Sequence, residues 1–235
     1  MTNGQLEGDP LGTIKVFGNL SAEERQRLVR NCVRLKFAPN QVVFDKDDEN
    51  CDVMFIVRGK VAVTGYSISG KNISFDELTE GDFFGELAAI DGEPRSASVI
   101  AVTPSELAVL SPQQFQQLLT DYPDIARRVM RRMAEVIRKS NERIMDFATL
   151  SAQQRVCSEI LKMARPDAAV PGAWSIYPLP TQGAIASRID TSRETVARVV
   201  RDLIKGGVVL RKGRAMFIPD KKKLEVLTNR LLDLH

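Results

Sequence analysis

The sequence has one histidine among 235 residues, and it is the last, His235. Haem ligation, zinc coordination and histidine-based acid/base chemistry therefore have almost no material to work with. The three cysteines, Cys32, Cys51 and Cys157, are odd in number, widely scattered and without a Cys-x-x-Cys pair. They argue against a disulfide framework and an iron–sulfur cluster and fit a reducing compartment. No apolar run approaches the roughly 20 residues that cross a bilayer. The opening "MTNGQLEGDP" lacks the basic and apolar regions of a signal peptide. A cytoplasmic location without a membrane partner is expected. Neither a metal set nor a nucleophile–base pair can be assembled from these residues, so the chain is not expected to be an enzyme and no residue is assigned a catalytic role.

What is present reads as an ordinary soluble globular chain, with 43% hydrophobic and 27% charged residues. Its charge is unevenly placed. Residues 1–150 carry 18 Lys/Arg against 22 Asp/Glu, a balance of −4, whereas residues 151–235 carry 15 against 8, a balance of +7. A small basic domain at the carboxyl end invites a polyanion.

Periodicity divides the chain further. "LSAEERQRLVRNCVRLK", residues 20–36, opens with a Ser-x-x-Glu capping signal at Ser21 and Glu24 and predicts a short helix. From about Gln41 to Ser111 short β-branched and aromatic runs alternate with turn residues, the pattern of a small antiparallel sandwich or barrel. Six of the fifteen glycines lie between Gly59 and Gly92, which fits tight corners. Helical spacing then returns and runs from about Ile125 to Leu150, with Val129, Met133, Val136, Ile144 and Phe147 along a narrow stripe of coiled-coil type. A helix with one such stripe pairs with a copy of itself or, over its first turns, packs on the chain's own β domain; a homodimer is expected. Ser140-Asn141 interrupts the stripe, either as a register-fixing polar pair or as a pair that faces a ligand. A second capping box at Ser151 and Gln154 begins a new helix and places a hinge near Phe147–Ser151.

"PTQGAIASRIDTSRETVARVVRDLIKGG" predicts two helices and a short turn. Thr181 caps the first, whose inner face is Ala184, Ile185 and Ile189; Ser192 caps the second, and Gly206-Gly207 ends it. Val196, Val199, Val200 and Leu203 fall on one face of the second helix, which leaves Arg193, Glu194, Ala197, Arg198 and Arg201 on the other. Arginine can donate two hydrogen bonds to guanine, and glutamate can accept one from cytosine. The following "VVLRKGRAMFIP" reads as a hairpin with a basic tip at Arg211-Lys212-Gly213-Arg214. Helix-turn-helix plus wing is a DNA-binding arrangement.

A β domain, a long helix, a hinge and a winged helix-turn-helix, in that order, resemble the cyclic AMP receptor protein (CRP/FNR) family of bacterial transcription regulators from about Val16 to Pro219. "TSRETVARVVRDL" is similar to the family's recognition helix, and "GDFFGELAAIDGEPRSAS" to its phosphate-binding cassette. The resemblance implies an α+β fold, with an amino-terminal helix and cyclic-nucleotide-binding β-roll over residues 1–111. A connecting and dimerisation helix would follow over 112–150, and a winged helix-turn-helix domain over 151–235. It implies effector contacts at Gly85, Glu86, Leu87, Arg95, Ser96, Ala97, Ser140 and Asn141. In these, Arg95 pairs with the phosphate, Ser96 adds its hydroxyl and backbone N–H, Glu86 accepts from the ribose 2′-hydroxyl, Gly85 lets the chain come close to the sugar, and Ser140-Asn141 reaches the base. Contacts to DNA are implied at Gln182, Ser192, Arg193, Glu194, Thr195, Arg198, Lys212 and Arg214. The implied ligand is cyclic AMP, with cyclic GMP the alternative, since Asn141 stands where a small hydroxyl residue is more usual. The implied partners are operator DNA with an inverted repeat, a second copy of the chain and RNA polymerase.

Two other departures are visible: Glu135-Val136 where better-known members place arginines, and Gln182 where a basic residue is common. The oxygen-sensing branch needs amino-terminal cysteines and the carbon-monoxide-sensing branch a haem-ligating histidine, and neither set is present. A regulator of this fold that binds DNA without cyclic nucleotide, or with another effector, remains the main alternative. A regulatory subunit of a kinase or channel would need a docking segment or membrane helices in place of residues 181–218.

Overall fold

The computed structural model describes residues 8–66, 72–167 and 169–230. The first seven residues and His235, both used above, lie outside them. The chain forms two compact units, Met1–Val136 and Ile137–His235.

In the first unit, α1 (Ala22–Asn31) precedes β1 (Val33–Phe37), β2 (Val42–Phe44), β3 (Val53–Arg58), β4 (Lys60–Tyr66), β5 (Asn72–Thr79) and β6 (Phe83–Phe84). Then come α2 (Glu86–Asp91), β7 (Ser98–Ala101), β8 (Ser105–Leu110), α3 (Pro112–Asp121) and the long α4 (Pro123–Thr149), which continues into the second unit. The strands make two four-stranded antiparallel sheets, in the orders β1-β8-β3-β6 and β2-β7-β4-β5.

Strand β3 shows why its sequence, "VMFIVR", is a continuous apolar run and not an alternating one. Successive side chains point to opposite faces, and both faces are covered. Val53 and Phe55 join Phe17, Phe115, Ile125 and Val129 in a core on the helical side. Met54 and Ile56 join Val61, Phe84, Val99 and Leu107 in a core between the sheets. The glycine-rich corners are needed where expected: a Cβ on Gly59, at φ +101°, would lie 2.5 Å from the Pro104 carbonyl oxygen.

The capping box at Ser21 and Glu24 forms, but the helix ends at Asn31, short of the expected Lys36. Residues Val33–Phe37 are a strand paired with β8, in which Arg34 meets Glu106 at 2.7 Å. The alternation of "VRLKF" suits a sheet position, and long-range pairing overrides the local helical reading. The stripe on α4 is also displaced. Val129 is buried in the core on the helical side and Met133 packs against it. The apolar side chains left open are Met130, Val136, Ile137, Ile144, Met145 and Phe147.

In the second unit, α5 (Ala152–Met163) begins at the expected Ser151–Gln154 capping box. It is followed by β9 (Arg165–Pro166), β10 (Trp174–Ile176), α6 (Gln182–Arg188), α7 (Arg193–Lys205), β11 (Leu210–Lys212), β12 (Ala215–Ile218) and α8 (Lys221–Arg230). The sheet order is β11-β12-β10-β9. One core gathers Val156 and Ile160 of α5, Ile185 and Ala186 of α6, the four predicted positions of α7, and Met216, Ile218 and Leu224. On α6, Ile185 is buried as predicted, as is Ile189 just past its end, while Ala186 takes the buried place expected of Ala184, which is half-buried. Among the described residues no helix is long and apolar enough to cross a membrane.

Candidate functional site

The cassette begins where β6 gives way to α2. Gly85 sits between them at φ +87°, a left-handed conformation that side chains with a Cβ rarely adopt. A Cβ there would lie 2.6 Å from Nη1 of Arg95 and 2.7 Å from the Asp52 carbonyl oxygen. The close approach expected at this glycine is therefore, in this structure, an approach to the cassette's own arginine.

Arg95 is 2% exposed. Its guanidinium lies 4.1 Å from the centre of the Phe44 ring, a cation–π contact that fixes its plane. Nη1 donates to the Gly85 carbonyl at 3.0 Å, and Nη2 donates to Asn50 Oδ1 at 2.8 Å and to the Asp52 carbonyl at 2.6 Å. Nε is buried and, among the described residues, has no partner. Burial lowers the proton affinity of the guanidinium, while Cys51, Asp52, Asp48 and Glu86 work in the opposite direction. A buried arginine with an unsatisfied N–H is a place for one more acceptor, and a phosphate oxygen has the charge and geometry for it. The residues fit an anionic effector.

Glu86 opens α2, and burial raises its carboxyl above the ordinary glutamate range. Its own backbone N–H, Arg132 and Arg95 pull it back down. Arg132, on α4 within the same unit, also contacts Asp76 of β5 at 3.2 Å. Leu87 and Ser96 are exposed and Ala97 is half-buried, so the cassette gathers Gly85, Glu86 and Arg95 most tightly and presents the others around them. Ser140 and Asn141 are exposed on α4 in the second unit.

Phe44, Asn50, Asp52 and Arg132 were not singled out by the sequence reading. The acidic run "DKDDENCD", residues 45–52, was a visible signal, because a buried arginine needs acceptors. Burial pushes the thiols of Cys32 and Cys157 up to about 12 and about 11, which works against thiolate formation. Among the described residues no group of three His, Cys, Asp or Glu side chains could hold a metal ion.

The helix-turn-helix forms as its caps dictate. Thr181 Oγ1 accepts from the Ala184 N–H at 3.1 Å, and Ser192 Oγ accepts from the Thr195 N–H at 3.0 Å. The turn passes through Asp190 at φ 46°, a conformation aspartate tolerates better than most residues. Val196, Val199, Val200 and Leu203 are buried, and Arg193, Glu194, Arg198 and Arg201 are exposed on the opposite face. Gln182 and Thr195 are half-buried and Ser192 exposed. The hairpin of β11 and β12 turns at Gly213, φ 56°, and leaves Arg211, Lys212 and Arg214 exposed. Helix α7 and the hairpin tip thus present basic side chains with no core role.

Comparison with known proteins agrees with this division. Residues 34–122 match the cyclic nucleotide-binding domain, and residues 154–227 match the Crp-like helix-turn-helix domain. The chain is 28% identical over 189 residues to the cAMP-activated global transcriptional regulator CRP of Salmonella typhimurium, covering 80% of this chain and 90% of that protein. The fold is shared with a CooA mutant from Carboxydothermus hydrogenoformans, at a TM-score of 0.78 and 17% identity over 96% of this chain and 98% of that one. It is also shared with CLP, the c-di-GMP responsive global regulator of Xanthomonas campestris, at a TM-score of 0.70 and 19% identity over 84% and 99%. With a cyclic nucleotide-binding domain of two antiparallel sheets and a Crp-like helix-turn-helix domain, the chain belongs to the CRP/FNR family of transcription regulators.

Proposed function

We propose that this protein is a cytoplasmic, homodimeric regulator that binds an inverted-repeat operator when a cyclic nucleotide occupies the cassette, and that cyclic AMP is the effector, with cyclic GMP the alternative. The observation that carries the reading is the buried Arg95, whose Nε–H has no acceptor among the described residues, in one cassette with the half-buried Glu86, whose carboxyl burial raises. A cyclic nucleotide brings the matching groups, one anionic phosphate and a ribose 2′-hydroxyl. Arg95 would hold the phosphate with Ser96 and the Ala97 backbone beside it, and Glu86 would accept from the hydroxyl, with Gly85 and Leu87 along the sugar. Ser140 and Asn141 would sort adenine from guanine, since a hydroxyl and an amide each can donate and accept. On the DNA side, Arg193, Glu194 and Arg198 would read bases. Gln182, Ser192, Thr195, Lys212 and Arg214 would hold the backbone, and RNA polymerase would be the further partner. The three-part division at 111 and 150 goes with this reading.

Calorimetric titration with each nucleotide, repeated in an operator-binding assay, tests it. Micromolar binding of one nucleotide together with a gain in operator affinity is the expected result. Operator affinity unchanged by saturating cyclic AMP and cyclic GMP would defeat the switch even if the pocket binds.

One observation favours a second reading. Arg95 already has three acceptors inside the protein, so a regulator that binds DNA without cyclic nucleotide, or in response to another effector, is the competitor. Full operator affinity in the nucleotide-free protein would select it.

A further inference from the structure

We infer that the loop joining β2 to β3, residues 45–52, competes with the effector for the guanidinium of Arg95, and that Asn50 and Asp52 set how tightly an anionic ligand is held. The inference rests on the phosphate-binding role proposed above for Arg95.

A guanidinium has five N–H groups, one on Nε and two on each terminal nitrogen. Both hydrogens of Nη2 are in use, one on Asn50 Oδ1 and one on the Asp52 carbonyl. A two-pronged grip on phosphate needs two neighbouring N–H groups along one edge of the fork, either Nη1 with Nη2 or Nε with Nη2. Both edges include Nη2. An incoming phosphate therefore takes a single N–H, or it displaces one of the acceptors that Nη2 now serves.

Those acceptors are unequal. The Asp52 carbonyl is backbone immediately before β3, which pairs from Val53 with β8. The Asn50 amide is a side chain that a rotamer change removes. Its Oδ1 also accepts from the Asp52 N–H at 3.0 Å, and its Nδ2 donates to Asp52 Oδ2 at 3.0 Å. The beginning of the loop is tied independently. The Arg95 N–H donates to the Asp48 carbonyl and the Asp47 N–H to the Arg95 carbonyl, each at 2.9 Å, and Ser98 Oγ donates to Asp45 Oδ1 at 3.1 Å. Asn50 can swing away while residues 45–48 stay against the cassette. The loop also carries Asp45, Asp47, Asp48, Glu49 and Asp52 against the single Lys46, so its field favours a charged, loop-bound Arg95 and opposes an anion. Without ligand, the loop gives a buried cation the acceptors it needs; with ligand, part of that stabilisation must be given up, which lowers the observed affinity.

The test is titration of the full chain with cyclic AMP and with cyclic GMP, using the wild type, Asn50→Asp, Asp52→Asn, Asn50→Ala and Arg95→Leu. Asn50→Asp keeps an acceptor in place and turns an ion–dipole hydrogen bond into an ion pair, so binding should weaken by roughly tenfold. Asp52→Asn keeps the backbone carbonyl and removes a charge, and Asn50→Ala frees an Nη2 hydrogen; both should tighten binding several-fold. Opposite signs across the series are the diagnostic, because a loop that merely positions Arg95 would weaken in every variant. If Asn50→Ala loses stability, Asp52→Asn decides the sign alone. Should Arg95→Leu weaken binding while the loop variants all weaken or all match wild type, the loop does not compete and the pocket reading stands. If neither wild type nor any variant binds either nucleotide, the pocket reading fails and the loop competition falls with it. A wild type that binds neither while Asp52→Asn binds one would show the competition at its strongest.

Discussion

Arg95 is a charged group taken out of water and Glu86 is one taken partly out of it, and each is more costly to the free protein than a neutral residue of the same shape. The carboxyl of Glu86 is raised by burial, and the sign of its effect on stability follows. Folded protein holds the Glu86 proton at pH values where unfolded chain has released it. The penalty is therefore absent below the ordinary glutamate range and present in full above the raised value. Glu86→Gln should raise the melting temperature at neutral pH, and the gain should vanish as the pH falls toward the ordinary glutamate range. A melting temperature at neutral pH equal to or below that of wild type would remove burial as the cause. The same variant should weaken nucleotide binding, since a neutral amide is a poorer acceptor for the ribose hydroxyl than a carboxylate. Arg95→Leu should cost more, about 1.5 to 3 kcal/mol or roughly tenfold to 150-fold in affinity, the range for a charge-assisted contact. Arg95→Lys, which keeps the charge and loses the planar fork, should fall between. Calorimetry on folded samples of all three variants checks the order, and an unchanged titration for Arg95→Leu would place the phosphate elsewhere.

At the scale of elements, the parts that local chemistry decides were the parts legible in the sequence. The Ser21, Ser151, Thr181 and Ser192 caps each named a helix start, and each side chain accepts the backbone N–H predicted for it. The four buried positions of α7 followed from a 3.6-residue period. What was not legible depends on partners far away in the chain. Strand β1 is a strand because β8 pairs with it; for the first turns of α4, which the sequence left free to pack either way, it is the helical-side core of the first unit that takes Val129. At the candidate site, Gly85, Glu86 and Arg95 could be named from the cassette pattern. The acceptors of Arg95, some 45 positions earlier, could not be paired with it from spacing alone. Helix α7 supplies the element-scale prediction. Arg193→Ala should cost roughly 1 to 3 kcal/mol of operator affinity and relax the preference at one base pair. Lys212→Ala, at the hairpin tip, should weaken all sequences alike and flatten the dependence on salt, as a phosphate contact does. Binding to a panel of single-substitution operators at several salt concentrations separates the two; a uniform loss for Arg193→Ala would mean that α7 does not read bases there.

For the molecule as a whole, the question is what covers the open side of α4. Met130, Ile137, Ile144 and Phe147 are exposed there, Ile144 to 63%. With half-buried Met133 and with Ser140 they follow one another at alternating spacings of three and four, the seam of a two-stranded coiled coil. With Ser140 on that stripe and Asn141 next to it, pairing of two such helices would bring this polar pair to the subunit contact. Replacing Ile137 and Ile144 with aspartate should give a folded monomer, visible in sedimentation, that binds a single half-site weakly and no longer distinguishes the full operator. A variant that stays dimeric would move the interface off this face. In a two-fold dimer both copies of α7 must enter successive major grooves about 34 Å apart, which sets the half-site centres about 10 to 11 base pairs apart. An effector can shift such a dimer toward its DNA-competent form only by binding that form more tightly than the other. The effector should therefore raise affinity for an operator with that spacing far more than for random DNA, and inserting five base pairs between the half-sites should erase the difference. Equal enhancement on operator and random DNA would mean that the nucleotide adds non-specific affinity without setting the spacing of the two recognition helices.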